Sequence, residues 1–481
     1  MNDNVVDLLD SKKDLSIFFC GIGGIGMSGL ALLAKSCGYK VSGSDLVKGK
    51  TTKFMEENGI PVHIGHDAKN VDRADIFVYS SAVNTNTNPE ALEAKKMGIP
   101  LIKRGEMVSI LMRHYFNIIV CGSHGKTTTS GLIGHMMDGL GRNPNVLIGG
   151  VLNSSHTNCQ VGKGKYFVME ADESDGTFTV APTDIAVITN IDPEHMEFYK
   201  TNENLEKYFL EFAHKGLQKA GTVICEDSKI GVDIIQKLKS EGAEKLITYS
   251  IANKNADFYA ENITHKKDGI TFDVIDNVAK QEHKGVFLSN MFGNHNVLNL
   301  LAALGVATLT GQSVAEAVKT FANFNGIQKR FTILGQIQHS LIVDDYAHNP
   351  QKIACAVNST KHYIECNNLG KNFTIVFEPH RYTRWRDGHE LFAKALSEAT
   401  HVIVMPIYAS SEEPIPGIDD DHVFNELKKV CKDVVRTSDD AKEIRAAIEA
   451  ILSKDKENSI TIFMGAGKSS KLAHEVVEIN Q

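Results

Sequence analysis

The sequence lacks the features of several specialised classes of protein. Its eight cysteines are scattered and none forms a C-x-x-C pair, which favours reduced thiols in a cytoplasmic protein over a disulfide framework. Basic residues do not outnumber acidic ones, and the net charge of -8 argues against a general nucleic-acid binder. Low-complexity segments and repeats of solenoid period are also missing. The remaining composition is that of an ordinary globular protein.

Long hydrophobic runs are scarce as well. Residues 17–34 are uncharged over 18 positions, which reaches the length of a short membrane helix. Five of these residues are glycine, and the run divides naturally into a strand, a loop and a helix. Residues 1–7 are acidic and lack the pattern of a secretory leader. We therefore expect a cytoplasmic protein of about three domains that has no membrane partner.

The most informative stretch lies near residue 120. Residues 118–121 predict a buried strand and residues 130–140 predict a helix. Between them lies a glycine loop with its polar residues: Gly122, Ser123, His124, Gly125, Lys126, Thr127 and Thr128. Such a loop binds nucleotide phosphates, because its N–H groups and the helix N-terminus favour negative charge. Lys126 can reach the terminal phosphates and the Thr127 hydroxyl can reach Mg²⁺, although Val120 occupies the first glycine position of the usual pattern.

A second glycine loop lies near the start of the chain. A predicted strand (residues 15–20) and a predicted helix (27–36) flank it, and its residues are Gly21, Ile22, Gly23, Gly24, Ile25 and Gly26. Asp45 follows the next strand, at about the sequence separation from the glycine loop at which a dinucleotide-binding site has the acidic residue that binds the ribose. A further strand ends in small residues suited to a ligand-facing loop, among them Ser80 and Ser81. The pattern predicts a diphosphate site in a small doubly wound domain, with NAD as one possible ligand.

Acidic residues follow two further predicted strands. Residues 166–169 lead into a cluster that begins at Glu170, and residues 185–189 lead into a segment that ends at His195. The carboxyl ends of parallel strands meet at one edge of a sheet, where ligands bind. We therefore expect Mg²⁺ at this edge, with a carboxylate and the Thr127 hydroxyl as ligands. A structural role stays open for His195, because Mg²⁺ prefers oxygen.

The rest of the chain supplies another set of polar residues. Residues 220–290 predict short antiparallel strands, and Asn296 and Asn299 share one face of the helix that follows. From residue 329 onward, strands and helices alternate, which predicts another α/β domain. Arg381 and Arg384 follow one of its strands and predict an anion clamp beside His380. The stretch 465–469 imitates the end of a phosphate loop, but we expect its glycines to line a cleft.

Taken together, these motifs resemble those of the Mur ligases over nearly the whole chain. The short G-x-x-G-K-T loop is the form that this family uses. Further motifs match residues 21–27, 170–175, 189–196, 293–299, 330–331, 344–350, 377–384 and 408–415. Three positions depart from the family pattern: Ser123 replaces a common Thr, Asn349 a second His, and Lys468 an Asp. The last departure concerns the role of the C-terminal loop and not the reaction.

The resemblance implies three α/β domains and a reaction. A Rossmann-like domain (residues 1–112) would bind a UDP-sugar, a central P-loop ATPase-like domain with a mixed sheet (113–328) would bind ATP, and a Rossmann-like domain (329–481) would bind an amino acid. The implied reaction ligates L-alanine to the lactyl carboxylate of UDP-N-acetylmuramate through an acyl phosphate, using ATP and Mg²⁺, in peptidoglycan precursor synthesis. Two anions meet in this reaction, so Lys126 and Mg²⁺ would neutralise charge.

The resemblance also implies roles for individual residues. Residues of the first glycine loop and of nearby strand ends would contact the UDP-sugar: residues 21–26, Asp45, Ser80 and Ser81. Residues of the phosphate loop and of later motifs would contact ATP: residues 122–128, Asn296, Asn299, Arg330 and Asp345. The amino acid would lie among Tyr346, His348, His380, Arg381 and Arg384. The metal would be held by Thr127, Glu170 and His195, and the residues acting in the reaction would be Lys126, His195, Arg381 and Arg384.

Three alternatives differ in the features that they leave unexplained. A recycling ligase adds a peptide to the same sugar, but that branch differs around the amino-acid pocket, where residues 380–384 favour a single amino acid. An NAD-dependent dehydrogenase would explain residues 21–26 but neither Lys126 nor Glu170. A P-loop switch protein would need no amino-acid clamp. The oligomeric state expected for the ligase is a monomer or a weak homodimer.

Overall fold

The computed structural model describes residues 5–6, 8–9, 14–80, 82–153, 158–174, 176–410, 412–457 and 459–479. The chain divides into two compact units. The first contains Met1–Phe258 and Leu300–Thr320, and the second contains Tyr259–Asn299 and Phe321–Gln481. Short 3₁₀ helices cover Ala68–Val71, Thr177–Val180 and Phe321–Asn323.

The first unit begins with a five-stranded parallel sheet. Its strands are β1 (Ser16–Cys20), β2 (Lys40–Asp45), β3 (Val62–Ile64), β4 (Ile76–Tyr79) and β5 (Leu101–Lys103). The helices are α1 (Ile25–Ser36), α2 (Lys50–Glu57), α3 (Pro89–Lys96) and α4 (Arg104–Met112). The strand order β3-β2-β1-β4-β5 reverses between β1 and β4, and open α/β sheets bind ligands at this point. The glycine loop after β1 lies there.

A larger sheet follows in the same unit. The strands of this sheet in the first unit are β6 (Phe116–Cys121), β7 (Asn145–Leu147), β8 (Cys159–Gln160), β9 (Tyr166–Glu170), β10 (Ile185–Ile188), β11 (Gly221–Cys225) and β12 (Leu246–Ser250), in the order β12-β11-β10-β6-β9-β7-β8. Only the pairing of β7 with β8 is antiparallel among these described strands. Residues 118–121 of β6 are fully buried, which explains their continuous apolar sequence.

Helices cover both faces of this second sheet. They are α5 (Lys126–Gly139), α6 (Met196–Tyr199), α7 (Asn202–Leu217), α8 (Lys229–Ser240), α9 (His295–Leu309, which enters this unit at Leu300) and α10 (Val314–Thr320). Helix α8 corrects the prediction of short strands throughout residues 220–290. Ser228 caps this helix and Ile234, Ile235 and Leu238 are buried, so its apolar residues follow a helical period.

The second unit contains three strands and then another sheet. Strands β13 (Phe258–Lys266), β14 (Gly269–Asp276) and β15 (Gln281–Ser289) match the predicted antiparallel segment. The sheet has strands β16 (Thr332–Ile337), β17 (Ser340–Asp345), β18 (Phe373–Phe377), β19 (His401–Val404), β20 (Val434–Arg436) and β21 (Ser459–Met464), in the order β16-β17-β21-β18-β19-β20. All its pairs are parallel except β16 with β17.

Five helices pack on this last sheet. They are α11 (Pro350–Asn367), α12 (Tyr382–Leu396), α13 (Asp420–Val430), α14 (Ala441–Lys454) and α15 (Ser469–Glu478). Neighbouring residues of β18 point to opposite faces, since Ile375 belongs to one apolar core and Val376 to the other. Each face of the sheet therefore carries its own core.

The α/β fold class predicted from the sequence is confirmed. The domain boundaries at residues 112/113 and 328/329 stay predictions, because the division into compact units follows the chain differently. Within the described part of the chain, every helix is too short or too polar to cross a bilayer.

Candidate functional site

The phosphate loop lies between β6 and α5, as predicted. Gly122 has a φ of +136°, and a Cβ atom there would lie 2.2 Å from Thr189 Oγ1, so only glycine fits. Asn190 holds the loop: its carbonyl oxygen accepts a hydrogen bond from Ser123 N at 3.1 Å, and its Oδ1 accepts one from His124 N at 2.8 Å. Asn190 received no role from the sequence, although it follows β10 within a family motif.

The amino end of α5 is suited to an anion. The first helical hydrogen bond runs from Thr129 N to Gly125 O at 2.8 Å, so the amides of Lys126, Thr127 and Thr128 have no acceptor within the helix. Amides in this position bind phosphate oxygens, and the helix dipole adds partial positive charge. Thr127 is buried in the same turn.

Lys126 forms a buried ion pair that the sequence did not predict. Its Nζ lies 2.7 Å from Glu173 Oε2 and donates to Gly122 O at 2.6 Å, and the Glu173 side chain is only 4% exposed. Burial lowers the pKa of Lys126, but the carboxylates of Glu173 and Glu170 outweigh it and raise the pKa above its ordinary value. Burial raises the pKa of Glu173, but His195 and Lys126 outweigh it and lower the pKa. Both groups are therefore charged at neutral pH.

His195 lies on the other side of the same carboxylate. Its Nε2 is 3.6 Å from Glu173 Oε1, and the Glu173 carboxylate raises the pKa of His195. The ligand atoms of Glu173, Glu194 and His195 lie within 4.8 Å of one another and could hold a metal ion. Glu170, the predicted ligand, accepts a hydrogen bond from Gly149 N at 2.7 Å, and its contact with a metal stays a prediction. The sequence thus missed Glu173 and Glu194, which stand beside the residues that it selected.

His124 and Tyr199 complete the surroundings of this site. His124 Nε2 lies 3.3 Å from Asp192 Oδ2, which connects the phosphate loop to the segment after β10. The Tyr199 hydroxyl donates to the carbonyl oxygen of Glu173. Helix α6 begins directly after His195, whose φ of +56° places it in the left-handed region that such residues seldom adopt. The acidic segments after β9 and β10 are therefore joined at the phosphate loop.

The first glycine loop is fixed by the end of β2. Gly21 N and Ile22 N donate to Ser44 O at 2.8 and 2.9 Å, and Gly23 N donates to Asp45 Oδ2 at 2.8 Å. Asp45 thus holds the loop itself, in addition to any contact with a ligand. Gly24 precedes α1, which contains Ile25 and Gly26, and Ser80 lies beside Gly21. Ser81 lies outside the described residues.

The predicted amino-acid residues form a series of rings in the second unit. The rings of Tyr346 and His348 are 4.9 Å apart, those of His348 and His380 are 5.6 Å apart, and His380 stacks on Tyr408 at 5.6 Å. Burial and the charges of Lys352 and Arg384 lower the pKa of His348 to about 2. Burial and the two arginines lower the pKa of His380 to about 4. Both imidazoles are therefore neutral at pH 7.

Arg381 and Arg384 have different partners. Arg381 occupies the position before α12, and its Nε lies 3.4 Å from Glu412 Oε1. Arg384 NH1 donates to His380 Nδ1 at 2.9 Å. Glu412 also accepts hydrogen bonds from Thr383 N and Oγ1, at 3.1 and 2.6 Å. The sequence contained Glu412 within a family motif but did not predict that it would face Arg381.

The residues predicted to contact ATP beyond the phosphate loop lie in the second unit. Asn299 Nδ2 donates to Asn296 Oδ1 at 3.0 Å, so the two amides share one helix face as expected. Asp345 accepts from Phe331 N and Ala347 N at 2.9 Å each, and burial raises its pKa to about 6. The Arg330 guanidinium lies 5.9 Å from the centre of the Tyr346 ring. Their contact with ATP stays a prediction.

Residues 465–469 are not a second phosphate loop. Glu378, which is 2% exposed, accepts from Gly467 N at 2.8 Å and from Lys468 N at 2.7 Å. A Cβ atom at Gly465 would lie 2.6 Å from Glu378 Oε2, so this glycine admits the carboxylate. Glu378 and the Tyr408 ring lie against Gly465 and Gly467, and the expectation that these glycines line a cleft stays a prediction. Lys468 pairs with Asp439.

Three family models match consecutive parts of the chain. They are the Mur ligase family catalytic domain over residues 16–116, the Mur ligase middle domain over 120–307, and the Mur ligase glutamate ligase domain over 329–467. Among curated proteins, the UDP-N-acetylmuramate–L-alanine ligase of Geotalea daltonii is 38% identical over 462 residues, covering 96% of this chain and 97% of that protein. The protein of the same name from Rickettsia felis is 38% identical over 480 residues, covering 98% of each.

Solved structures agree with these matches. The crystal structure of the UDP-N-acetylmuramate-alanine ligase of Thermotoga maritima has a TM-score of 0.78 and 27% identity, covering 97% of this chain and 99% of that one. A murein peptide ligase from Psychrobacter arcticus has a TM-score of 0.65 at 21% identity, covering 96% and 98%, and shows a shared fold alone. Because matches at 38% identity cover nearly the whole length of both proteins, the chain belongs to the Mur ligase family of ATP-dependent amide ligases.

Proposed function

We propose that the chain ligates L-alanine to the lactyl carboxylate of UDP-N-acetylmuramate, with ATP, through an acyl phosphate. The relatives from G. daltonii and R. felis are named for this ligation and match the chain over nearly their full length. The observation that carries the amino-acid assignment is the cluster of His348, His380, Arg381 and Arg384. Neither a dehydrogenase nor a P-loop switch protein requires such an amino-acid-binding cluster.

The chemistry of this cluster fits a small zwitterion. A guanidinium group binds a carboxylate through two parallel hydrogen bonds, which fixes its orientation. A neutral imidazole nitrogen accepts a hydrogen bond from an ammonium group, and burial keeps both imidazoles neutral at pH 7. We therefore assign the L-alanine carboxylate to the arginines and its amine to His348, whose Nδ1 donates to Tyr346 O at 2.7 Å so that Nε2 is the accepting nitrogen.

The phosphate loop has to bring two anions together. The sugar carboxylate attacks the γ-phosphate of ATP, and both carry negative charge, so a fixed positive charge lowers the barrier. Lys126 supplies that charge, and its pairing with Glu173 keeps the ammonium in place before the nucleotide binds. The phosphate then takes over from Glu173 as the counter-ion of Lys126.

Mg²⁺ fits the oxygen donors beside this loop. When bound, it would neutralise charge on the phosphate oxygens. The Glu173 and Glu194 carboxylates and the Thr127 hydroxyl are hard oxygen donors of the kind that Mg²⁺ prefers. We assign His195 to positioning Glu173, through the ion pair at 3.6 Å in which the carboxylate raises the pKa of the imidazole. A direct role for Glu170 stays a prediction.

Location and assembly also remain proposals. No disulfide joins the eight cysteines, all of which lie in the described part of the chain, and this is consistent with the reducing cytoplasm. We expect a monomer or a weak homodimer.

Phosphate release tests the proposed function. With UDP-N-acetylmuramate and ATP, addition of L-alanine should start phosphate release, and the product should gain the mass of one alanine residue. A peptide substrate in place of L-alanine distinguishes the recycling ligase. Turnover with the peptide but not with L-alanine would contradict the proposal.

A further inference from the structure

A cluster of metal-ligating side chains lies outside the phosphate loop, at the end of β1. Cys20 is the last residue of that strand, His66 follows β3, and Glu90 lies in the first turn of α3. The Glu90 side chain is fully buried, the Cys20 thiol is buried, and the His66 side chain is 14% exposed. Three segments far apart in sequence thus bring a thiol, an imidazole and a carboxylate to one point.

We propose that Cys20, His66 and Glu90 bind one thiophilic divalent transition-metal ion, with Zn²⁺ as the best fit. The separations are 3.9 Å from Cys20 Sγ to His66 Nδ1, 3.3 Å from Sγ to Glu90 Oε2, and 2.8 Å from Nδ1 to Oε2. A point equidistant from these three atoms lies about 2.0 Å from each, and zinc bonds to S, N and O measure roughly 2.0–2.3 Å. A tetrahedral ion requires a modest shift of these side chains, because the equidistant point lies in the plane of the three atoms.

The chemistry of the donors selects this class of ion. A thiolate with an imidazole and a carboxylate suits Zn²⁺ and related transition metals, whereas Mg²⁺ and Ca²⁺ prefer oxygen alone. The thiolate and the carboxylate together balance the charge of a divalent ion. Binding releases the Cys20 proton to solvent, so affinity rises with pH.

Second-layer contacts hold the carboxylate in its position. Asn70 Nδ2 donates to Glu90 Oε1 at 2.7 Å, which leaves Oε2 turned toward the thiol and the imidazole. Ser44 Oγ lies 2.6 Å from Oε2 and 3.1 Å from His66 Nδ1. Partners of this kind fix the orientation of metal ligands and commonly change affinity by about 10–100-fold when they are removed. The partly exposed His66 ring offers the route of entry.

The position of the cluster gives the ion a structural task. Cys20 directly precedes Gly21, and the Ser44 carbonyl oxygen accepts hydrogen bonds from the backbone amides of Gly21 and Ile22. An ion at this point would link β1, the loop after β3 and α3. It would therefore stabilise the first glycine loop without taking part in the reaction at the phosphate loop.

Cobalt absorption tests this proposal in the full-length chain. After chelator treatment, titration with Co²⁺ should produce a thiolate-to-metal charge-transfer band that saturates at one Co²⁺ per chain. Added Zn²⁺ should abolish this band, because it competes for the same site. Cys20→Ser and His66→Asn should lose this absorption. Cys225→Ser is the matched control, because Cys225 is also buried and also ends a strand, β11, so this variant should keep it. The carboxylate and imidazole ligands near the phosphate loop contain no thiol and cannot give this signal.

Circular dichroism shows whether each variant is folded. If Cys20→Ser does not fold, His66→Asn decides, since His66 is partly exposed. Absence of the thiolate band in the folded wild-type chain would overturn the proposal. The same conclusion would follow if the band persisted in folded Cys20→Ser or His66→Asn, or if it disappeared in Cys225→Ser. The thiol, hydroxyl and carboxylate would then form a hydrogen-bonded network only.

Discussion

The Lys126–Glu173 pair predicts a measurable cost when one partner is neutralised. In Glu173→Gln, the Lys126 ammonium keeps its charge but loses a carboxylate at 2.7 Å in a largely buried environment. Removing one partner of a buried ion pair costs about 3–5 kcal/mol, because the remaining charge has no counter-ion. Lys126 retains the Gly122 carbonyl oxygen at 2.6 Å, so we expect the lower end of that range, about 3 kcal/mol.

A double-mutant cycle isolates the interaction. Lys126→Met combined with Glu173→Gln removes both charges, so neither side chain is left without a partner of opposite charge. We expect the double variant to be about 2–3 kcal/mol more stable than the sum of the single effects implies. Glu197→Gln is the matched control: this carboxylate also faces His195, at 3.6 Å, but it is 76% exposed. Its loss should change the free energy of unfolding by less than about 0.5 kcal/mol.

The readout has to report on the first unit. The single tryptophan, Trp385, lies in the second unit, so hydrogen exchange of the β6 and α5 amides is the appropriate measurement. ATP should recover much of the loss in Glu173→Gln, because its phosphates supply the missing negative charge. Additive single and double effects, or equal losses in Glu173→Gln and Glu197→Gln, would refute the reasoning.

Three further predictions concern the ligands and pH. In steady-state kinetics, Arg384→Ala should raise the KM for L-alanine by roughly 10–150-fold, because a hydrogen bond to a charged group contributes about 1.5–3 kcal/mol. The control Arg386→Ala, at an exposed arginine, should leave this KM unchanged. A defect of Arg384→Ala confined to the KM for ATP would contradict the assignment of Arg384 to the amino-acid carboxylate. Calorimetry should show that the chain binds the UDP-sugar in the absence of ATP and does not bind NADH. Binding of NADH without binding of the UDP-sugar would favour the dehydrogenase hypothesis. The free energy of unfolding of the second unit should fall as pH rises from 3.8 to about 6, because burial raises the Asp345 pKa in the folded state. Denaturant unfolding followed by Trp385 fluorescence should show a smaller fall of this free energy in Asp345→Asn.

Much of the fold follows from local patterns in the sequence. Apolar strands such as residues 118–121 are buried on both faces of a parallel sheet, so their composition alone identifies them. The helix at Lys229–Ser240 could also have been predicted from the sequence, because Ser228 caps it and its buried isoleucines follow a helical period. Expecting strands throughout residues 220–290 ignored that period.

The partners of the site residues could not be predicted in the same way. The acidic cluster after β9 offers four carboxylates in six residues, and spacing cannot show which of them meets Lys126. Glu412 stands 31 positions after Arg381, so their pairing depends on how the loops after two strands meet. Local patterns predict where a strand ends, but long-range packing decides which side chains then face each other.

Glu378 has a consequence for phosphate binding in the second unit. Its carboxylate occupies the place at the amino end of α15 where a phosphate would otherwise bind. An anion tethered to the same chain acts at a high effective concentration, so free phosphate competes poorly with it. Glu378→Ala would remove this built-in competitor and leave the amides of Gly467 and Lys468 available to small anions. A search for glycine-lysine loops would count two nucleotide sites in this chain, although one of them is already saturated by the protein itself.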